Sequence, residues 1–180
     1  MRKGIDPSAL FNLSYGMYVV GARMGDKLNA QIANAVMQVT ADPVCVAVCL
    51  SKTNFTQDCL CDCGAFSVSV LEEDVPMTFI GRFGFKSGRD VDKLKDINYA
   101  TGELLVPVVR DWCLSGFEAR IVTRVDVLTH ILFVGEVVSA EKFKDGTPLT
   151  YANYHLVKKG KSPAAAPTHA FNALKRDDAG

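Results

Sequence analysis

The chain has no excess of charge, since twenty Lys and Arg are matched by twenty Asp and Glu in 180 residues. A balanced surface lacks the long-range field that collects nucleic acid or an anionic membrane, so a charged ligand has to be held locally. Long apolar runs are missing too. The longest, VCVAVCL over residues 44–50, falls well short of the roughly 20 residues that cross a bilayer. The opening MRKGIDPSALFN puts no apolar stretch behind its basic residues, so it is no secretory signal. A cytoplasmic protein with no nucleic-acid or membrane partner is expected.

Catalytic signatures are scarce as well. The glycines of GRFGFKSGRD do not form the dinucleotide-binding G-x-G-x-x-G after a strand, and no phosphate-binding G-x-x-x-x-G-K-[ST] occurs. There is no G-x-S-x-G elbow, and His130, His155 and His169 have no nearby Ser or Cys with which to build a triad. Six cysteines are present, three of them in DCLCDCG. Zinc and rubredoxin-type sites use C-x-x-C pairs far apart, whereas this is a single C-x-C-x-C cluster. On a short helix Cys59 and Cys63 share a face and Cys61 points elsewhere, which suits small buried hydrophobes. No metal site is expected.

What is there reads as strands. Residues 15–24, 44–50, 66–71, 117–128 and 130–140 are rich in Val, Ile, Phe and Tyr and are bounded by turn residues. VCVAVCL does not alternate and is expected to be buried on both sides. In residues 117–127 the odd positions are mostly apolar and the even ones mostly charged, which predicts one core face and one wet face. Short helices are expected at TQDCLCDC, ended by Gly64, and at VDKL, capped by Ser87 or Asp90. Without long crossover helices a doubly wound sheet is disfavoured, and a mainly β antiparallel barrel with small external helices is favoured. The length suits one domain over residues 1–180, with the barrel at about 8–158. Residues 159–180 form a Pro/Ala-rich tail that has no core of its own.

Residues 25–43, GDKLNAQIANAVMQVTADP, set uncharged hydrogen-bonding groups among apolar neighbours. Either these amides face a polar ligand, or Asn29 and Asn34 make turns and Gln38 caps a helix.

Read in order, YGMYVVGAR, K-L-N-A-Q-I-A-N-x-x-x-Q-V-T-x-x-P, SKTNFT, GAFSVSVL, FGFKSGRDVDK, THILFVGEV and PLTYANYHLVKKGKSPAAAP resemble the landmarks of the flavin reductase-like FMN-binding split barrels. The resemblance spans roughly residues 8–168 and is strongest to the flavoredoxin and NAD(P)H:rubredoxin oxidoreductase branch. It implies a Greek-key split barrel, homodimeric, with FMN in a groove at the dimer interface. The ring edge would meet Asn29, Ala30, Gln31, Ile32, Asn34, Gln38, Val39 and Thr40, because neutral amides pair with that edge without perturbing its electronics. The phosphate would meet Ser51, Lys52, Asn54 and Thr56. Phe83, Gly84, Ser87 and Arg89 would border the flavin or nicotinamide, and Tyr154 would lie over the groove. His130 is the one catalytic candidate. The implied activity is a reductase passing electrons from NAD(P)H through FMN to free flavin, ferric iron, oxygen or a rubredoxin- or ferredoxin-like protein. The alternative is an FMN electron carrier with no pyridine-nucleotide activity.

Overall fold

The computed structural model describes residues 6–169. After a 3-10 turn over Pro7–Asn12, nine strands and three short helices follow. They run β1 (Tyr18–Met24), β2 (Lys27–Ala33), β3 (Val36–Ala41), β4 (Val44–Ser51), α1 (Phe55–Cys63), β5 (Ala65–Leu71), α2 (Met77–Gly84), β6 (Tyr99–Thr101), β7 (Pro107–Val109), β8 (Cys113–Val127), β9 (His130–Lys142) and α3 (Tyr151–Leu156).

Seven strands form one antiparallel sheet in the order β2-β1-β5-β8-β9-β4-β3, and β6 and β7 make a small separate ribbon. The two edge strands, β2 and β3, are consecutive in the chain and separated only by Asn34 and Ala35. So short a link spans about 10 Å, and the Cys49 N–H reaches across it to the Ala35 carbonyl at 2.9 Å. The sheet therefore has to coil until its edges nearly meet. The result is an antiparallel split barrel, with the split between β2 and β3.

Alternation along β1 divides its neighbours into two apolar clusters. Val20 and Ala22 pack with Val48, Leu50, Phe66, Phe133 and the buried side of α1. Val19 joins Leu71, Ile80, Phe83, Tyr151 and Tyr154 beneath α2 and α3. Phe66 and Phe133 are fully enclosed, and truncating either to Ala would cost about 3–5 kcal/mol.

α1 begins after Asn54 in extended backbone and stops at Gly64, whose φ of 66° lets its N–H turn back to Leu60. Cys59 is buried, Cys63 half-buried and Cys61 exposed. β4 is covered on both sides over residues 45–48, as its unbroken apolar run requires.

Three expectations are corrected. The strand expected from residue 15 starts at Tyr18, and only an isolated bridge, Gly16 to Thr150, precedes it. No helix forms at VDKL, where residues 90–97 make turns and bends; four residues are too few to repay helix nucleation. The helices are instead α2, placed by apolar residues at 79, 80 and 83 after Pro76, and α3, capped by Thr150, whose hydroxyl accepts the Asn153 N–H at 3.1 Å. The third correction concerns β8. Its alternation holds only as far as Ile121: Phe117, Ala119 and Ile121 face the core with Phe66 and Phe133, and beyond the register shift between Ile121 and Thr123 every residue from 122 to 127 is exposed. Glu118 lies on the face expected to be wet, which the loop after β6 covers. Glu118 is buried, accepting from the N–H groups of Gly102 and Leu104 and the Ser139 hydroxyl. Val125 and Val127 are exposed.

Candidate functional site

A cleft of about 250 Å³ lies where β2 turns toward β3, walled also by the end of β4, the start of α1, residues 83–89 and the tail at residues 161–167. Its charge is one-sided. Lys86, Arg89, Lys93 and Lys161 line it, and no Asp or Glu does among the described residues. In a neutral protein such a concavity is a local anion trap.

One end of the cleft is the N-terminus of α1. Asn54 makes no side-chain cap, so the first-turn N–H groups and the positive end of the helix face the cleft. Ser51 and Thr53 share a hydroxyl–hydroxyl bond of 2.9 Å. Thr56 accepts from the Asn29 amide at 2.7 Å, which ties β2 to α1 directly behind the cleft. Over this end lies the loop at residues 85–89. A Cβ at Gly88 would strike the Asn29 amide oxygen and crowd the Phe55 ring, so glycine is what lets the loop lie on both. Arg89 pairs with Asp58 at 2.5 Å and stacks 5.1 Å from the Phe55 ring centre, which fixes its guanidinium at the rim.

The other end is less charged. Gln31 and Asn34 supply amides, while Ile32, Gly84 and Phe83 supply apolar wall and space. The tail closes it. Tyr154 donates its hydroxyl to the Lys161 carbonyl at 2.8 Å, and the Asn34 amide donates to the Thr168 hydroxyl at 3.1 Å. Burial raises the titration of Tyr154 above the ordinary phenol value and that of the Cys49 thiol above its own, so both face the cleft uncharged at neutral pH.

Of the candidates from the sequence, Gln31, Ile32, Asn34, Ser51, Asn54, Thr56, Phe83, Gly84, Ser87, Arg89 and Tyr154 all line this one cleft. Asn29 sits just behind it. Ala30 points away, into the cluster under α2. Gln38, Val39 and Thr40 are exposed on edge strand β3, because the amide-rich segment is two strands on opposite edges of the split. Lys52 turns outward to Asp126 at 2.6 Å. His130 faces Ser51 across the β4–β9 ladder; its Nδ1 is 2.8 Å from the Thr129 hydroxyl and its Nε2 is buried without a partner among the described residues. Sequence reasoning missed Lys93, Cys49 and the tail wall. Lys93 was hidden in the supposed VDKL helix, and nothing local marks a tail that folds back.

An uncapped helix start, neutral amides beyond it and small apolar walls between them suit a planar flavin with a polar side chain. The comparisons agree: the flavin reductase like domain family matches residues 10–160, and the chain belongs to that family of flavin-binding oxidoreductases. It is 47% identical over 165 residues to the ferric-chelate reductase (NAD(P)H) of Archaeoglobus fulgidus, covering 92% of this chain and 98% of that one. It is 44% identical over 171 residues to the high molecular weight rubredoxin of Moorella thermoacetica, covering 95% and 75% respectively. Among solved structures, an FMN-binding protein from Thermus thermophilus superposes with a TM-score of 0.73 at 26% identity, over 84% of this chain and 89% of that one.

Proposed function

We propose that the protein binds FMN non-covalently in this cleft and acts as an NAD(P)H-dependent reductase that passes electrons to a ferric chelate, free flavin, oxygen or a rubredoxin-like protein. The observation that carries the reading is a cleft, with no Asp or Glu among its described lining residues, that joins the uncapped start of α1 to the amides of Gln31 and Asn34. The ferric-chelate and rubredoxin names of the two similar proteins support the donor and the acceptor class. FMN is favoured over FAD because the sequence carries no dinucleotide fingerprint for a second phosphate.

When bound, the flavin would supply the two-electron acceptor that a pyridine nucleotide can reduce and that can release electrons singly. The chain's own residues do the rest. Ser51, Asn54 and Thr56 hold the phosphate with the α1 amides. Gln31 and Asn34 orient the ring edge, and Ile32, Phe83 and Gly84 shape the space for its faces. Tyr154 and the tail exclude water from one side. No acid or base is demanded of the protein for the transfer itself, which depends on stacking the two rings.

The reading includes a cytoplasmic homodimer of single-domain chains. Met37, Val39, Val44, Val125 and Val127 are exposed on the β3 and β8 side of the sheet, a quantity of apolar surface that a second copy would cover. Gln38, Val39, Thr40, Lys52 and His130, which lie outside the cleft of their own chain, belong to the flavin site through that second copy. The distal tail, residues 170–180, lies outside the described residues.

The test is the visible spectrum of the purified protein before and after anaerobic NADH or NADPH, with the heat-released flavin identified by chromatography. A protein that is colourless and takes up no added FMN overturns the reading. A flavin untouched by either nucleotide but reduced by reduced ferredoxin or rubredoxin makes the protein an electron carrier instead.

A further inference from the structure

The tail that closes the cleft leaves α3 by a fixed turn. Lys159 takes a left-handed φ of 56°, the Gly160 N–H returns to the Tyr154 carbonyl at 2.8 Å, and a Cβ at Gly160 would run into the Tyr154 ring. The chain is then tied down in two places. At the near one the Lys161 carbonyl accepts from the Tyr154 hydroxyl at 2.8 Å, and the Ser162 hydroxyl bonds Tyr151 and His155. At the far one the tie to the body, among the described residues, is the Thr168 hydroxyl, which accepts from the Asn34 amide at 3.1 Å and shares a 2.6 Å bond with the Tyr151 hydroxyl. Between them runs Pro-Ala-Ala-Ala-Pro at residues 163–167. Among the described residues this span makes no hydrogen bond to the barrel or its helices; the Ala166 N–H goes to the Pro163 carbonyl within it. Its side chains on the cleft are carbon only. Neither apolar cluster includes a residue beyond Tyr154. A segment held by hydrogen bonds and not by the core opens at a cost well below that of unfolding the barrel.

We propose that residues 161–168 are a strap over the flavin, with the Thr168 hydroxyl as its latch and Asn34 as the side chain that couples the latch to the ligand. This rests on the FMN reading above, in which Asn34 meets the ring edge. An amide has two N–H donors and one acceptor oxygen. Asn34, 5% exposed, spends one donor on Thr168 and keeps the other donor and its oxygen for the ring. A ring edge that holds the amide in one orientation also presents the donor that the latch needs, and a closed latch turns the amide toward the ring, so each binding strengthens the other. The near anchor, with more bonds and the Gly160 turn behind it, is the pivot, and the far end lifts. The flavin is then a resident group that leaves only when the latch opens, and is not exchanged at every turnover.

The experiment takes two readouts on the full-length protein: release of bound FMN, followed by flavin fluorescence after dilution, and trypsin cleavage at residues 158–161 with and without FMN. Thr168→Val keeps the side-chain shape and removes the hydroxyl, whereas Thr168→Ser keeps the hydroxyl. Thr168→Val is expected to release FMN roughly 5- to 100-fold faster than wild type, the range for two neutral hydrogen bonds, and Thr168→Ser to stay within about twofold of wild type. FMN is expected to slow cleavage of the wild-type strap about threefold or more and to protect Thr168→Val far less. Unchanged release from Thr168→Val, equal acceleration in Thr168→Val and Thr168→Ser, or wild-type cleavage that FMN does not slow overturns the latch. Wild-type protein that binds no FMN overturns the FMN reading itself, a separate outcome with which the latch also falls.

Discussion

β2 and β3 carry similar uncharged polar side chains and put them to opposite use. On β2, Asn29 is 2% exposed and bonds Thr56, 27 residues away. Just after it, Asn34 is buried and bonds Thr168, 134 residues away. On β3, Gln38 and Thr40 are exposed and satisfied within three residues, Gln38 by the Thr40 carbonyl and Thr40 by the Pro43 carbonyl. The difference lies in what covers each strand. β2 is roofed by α1, the loop at residues 85–89 and the tail, and a roofed amide must find a partner or bind a ligand. Among the described residues β3 has only β4 beside it, and local carbonyls and water serve its polar side chains. An amide-rich stretch is therefore a binding site only where other elements close over it.

The sharpest way to break the comparison is Asn29→Ala. It strips Thr56 of its buried donor and leaves a small void, so the apoprotein should lose about 2–4 kcal/mol in urea unfolding. A loss no larger than that of a surface substitution would mean that the β2 amide is not structurally committed. Lys93→Met should move stability the other way. The wild-type lysine is pushed from 10.5 down to about 8 by burial, so between those pH values the unfolded chain binds more protons and stability rises with pH. Below pH 8 the buried charge is a standing cost. Removing it should make the apoprotein roughly 1–3 kcal/mol more stable at pH 7 and abolish the rise toward pH 10.5. Stability lost with the charge would contradict the undercompensated site.

A smaller effect is expected at the roof. Tyr154→Phe deletes the hydroxyl that holds the Lys161 carbonyl, costs about 0.5–1.5 kcal/mol, and should speed proteolysis of the tail before that of the barrel. The smallest is Gln38→Ala on β3. With a local partner and full exposure, it should leave apoprotein stability within about 0.5 kcal/mol of wild type. A cost above 1 kcal/mol would show that β3 is covered in solution, as the proposed homodimer requires, and dilution should then relieve it.

Much of this architecture was legible in the order of residues. The β-branched runs marked β4, β5 and β9, the apolar continuity of residues 44–50 marked a strand covered on both sides, and Gly64 marked the end of α1, because strand preference and helix termination act over a few neighbouring residues. Missing long helices narrowed the fold for the same reason. Three features depended on pairing between distant segments. The loop after β6 covered Glu118 on the face expected to be wet, and Val125, on the face expected to be core, was left exposed. Coiling of the sheet brought its edges together and separated Asn29 from Gln38. The loop from α2 carried Lys93 into a cleft with no carboxylate among its described lining residues, against what its DVDKL context suggests. Local chemistry determined which elements form; their long-range register and the elements that roof them decided which polar groups are removed from water and left to bind a ligand.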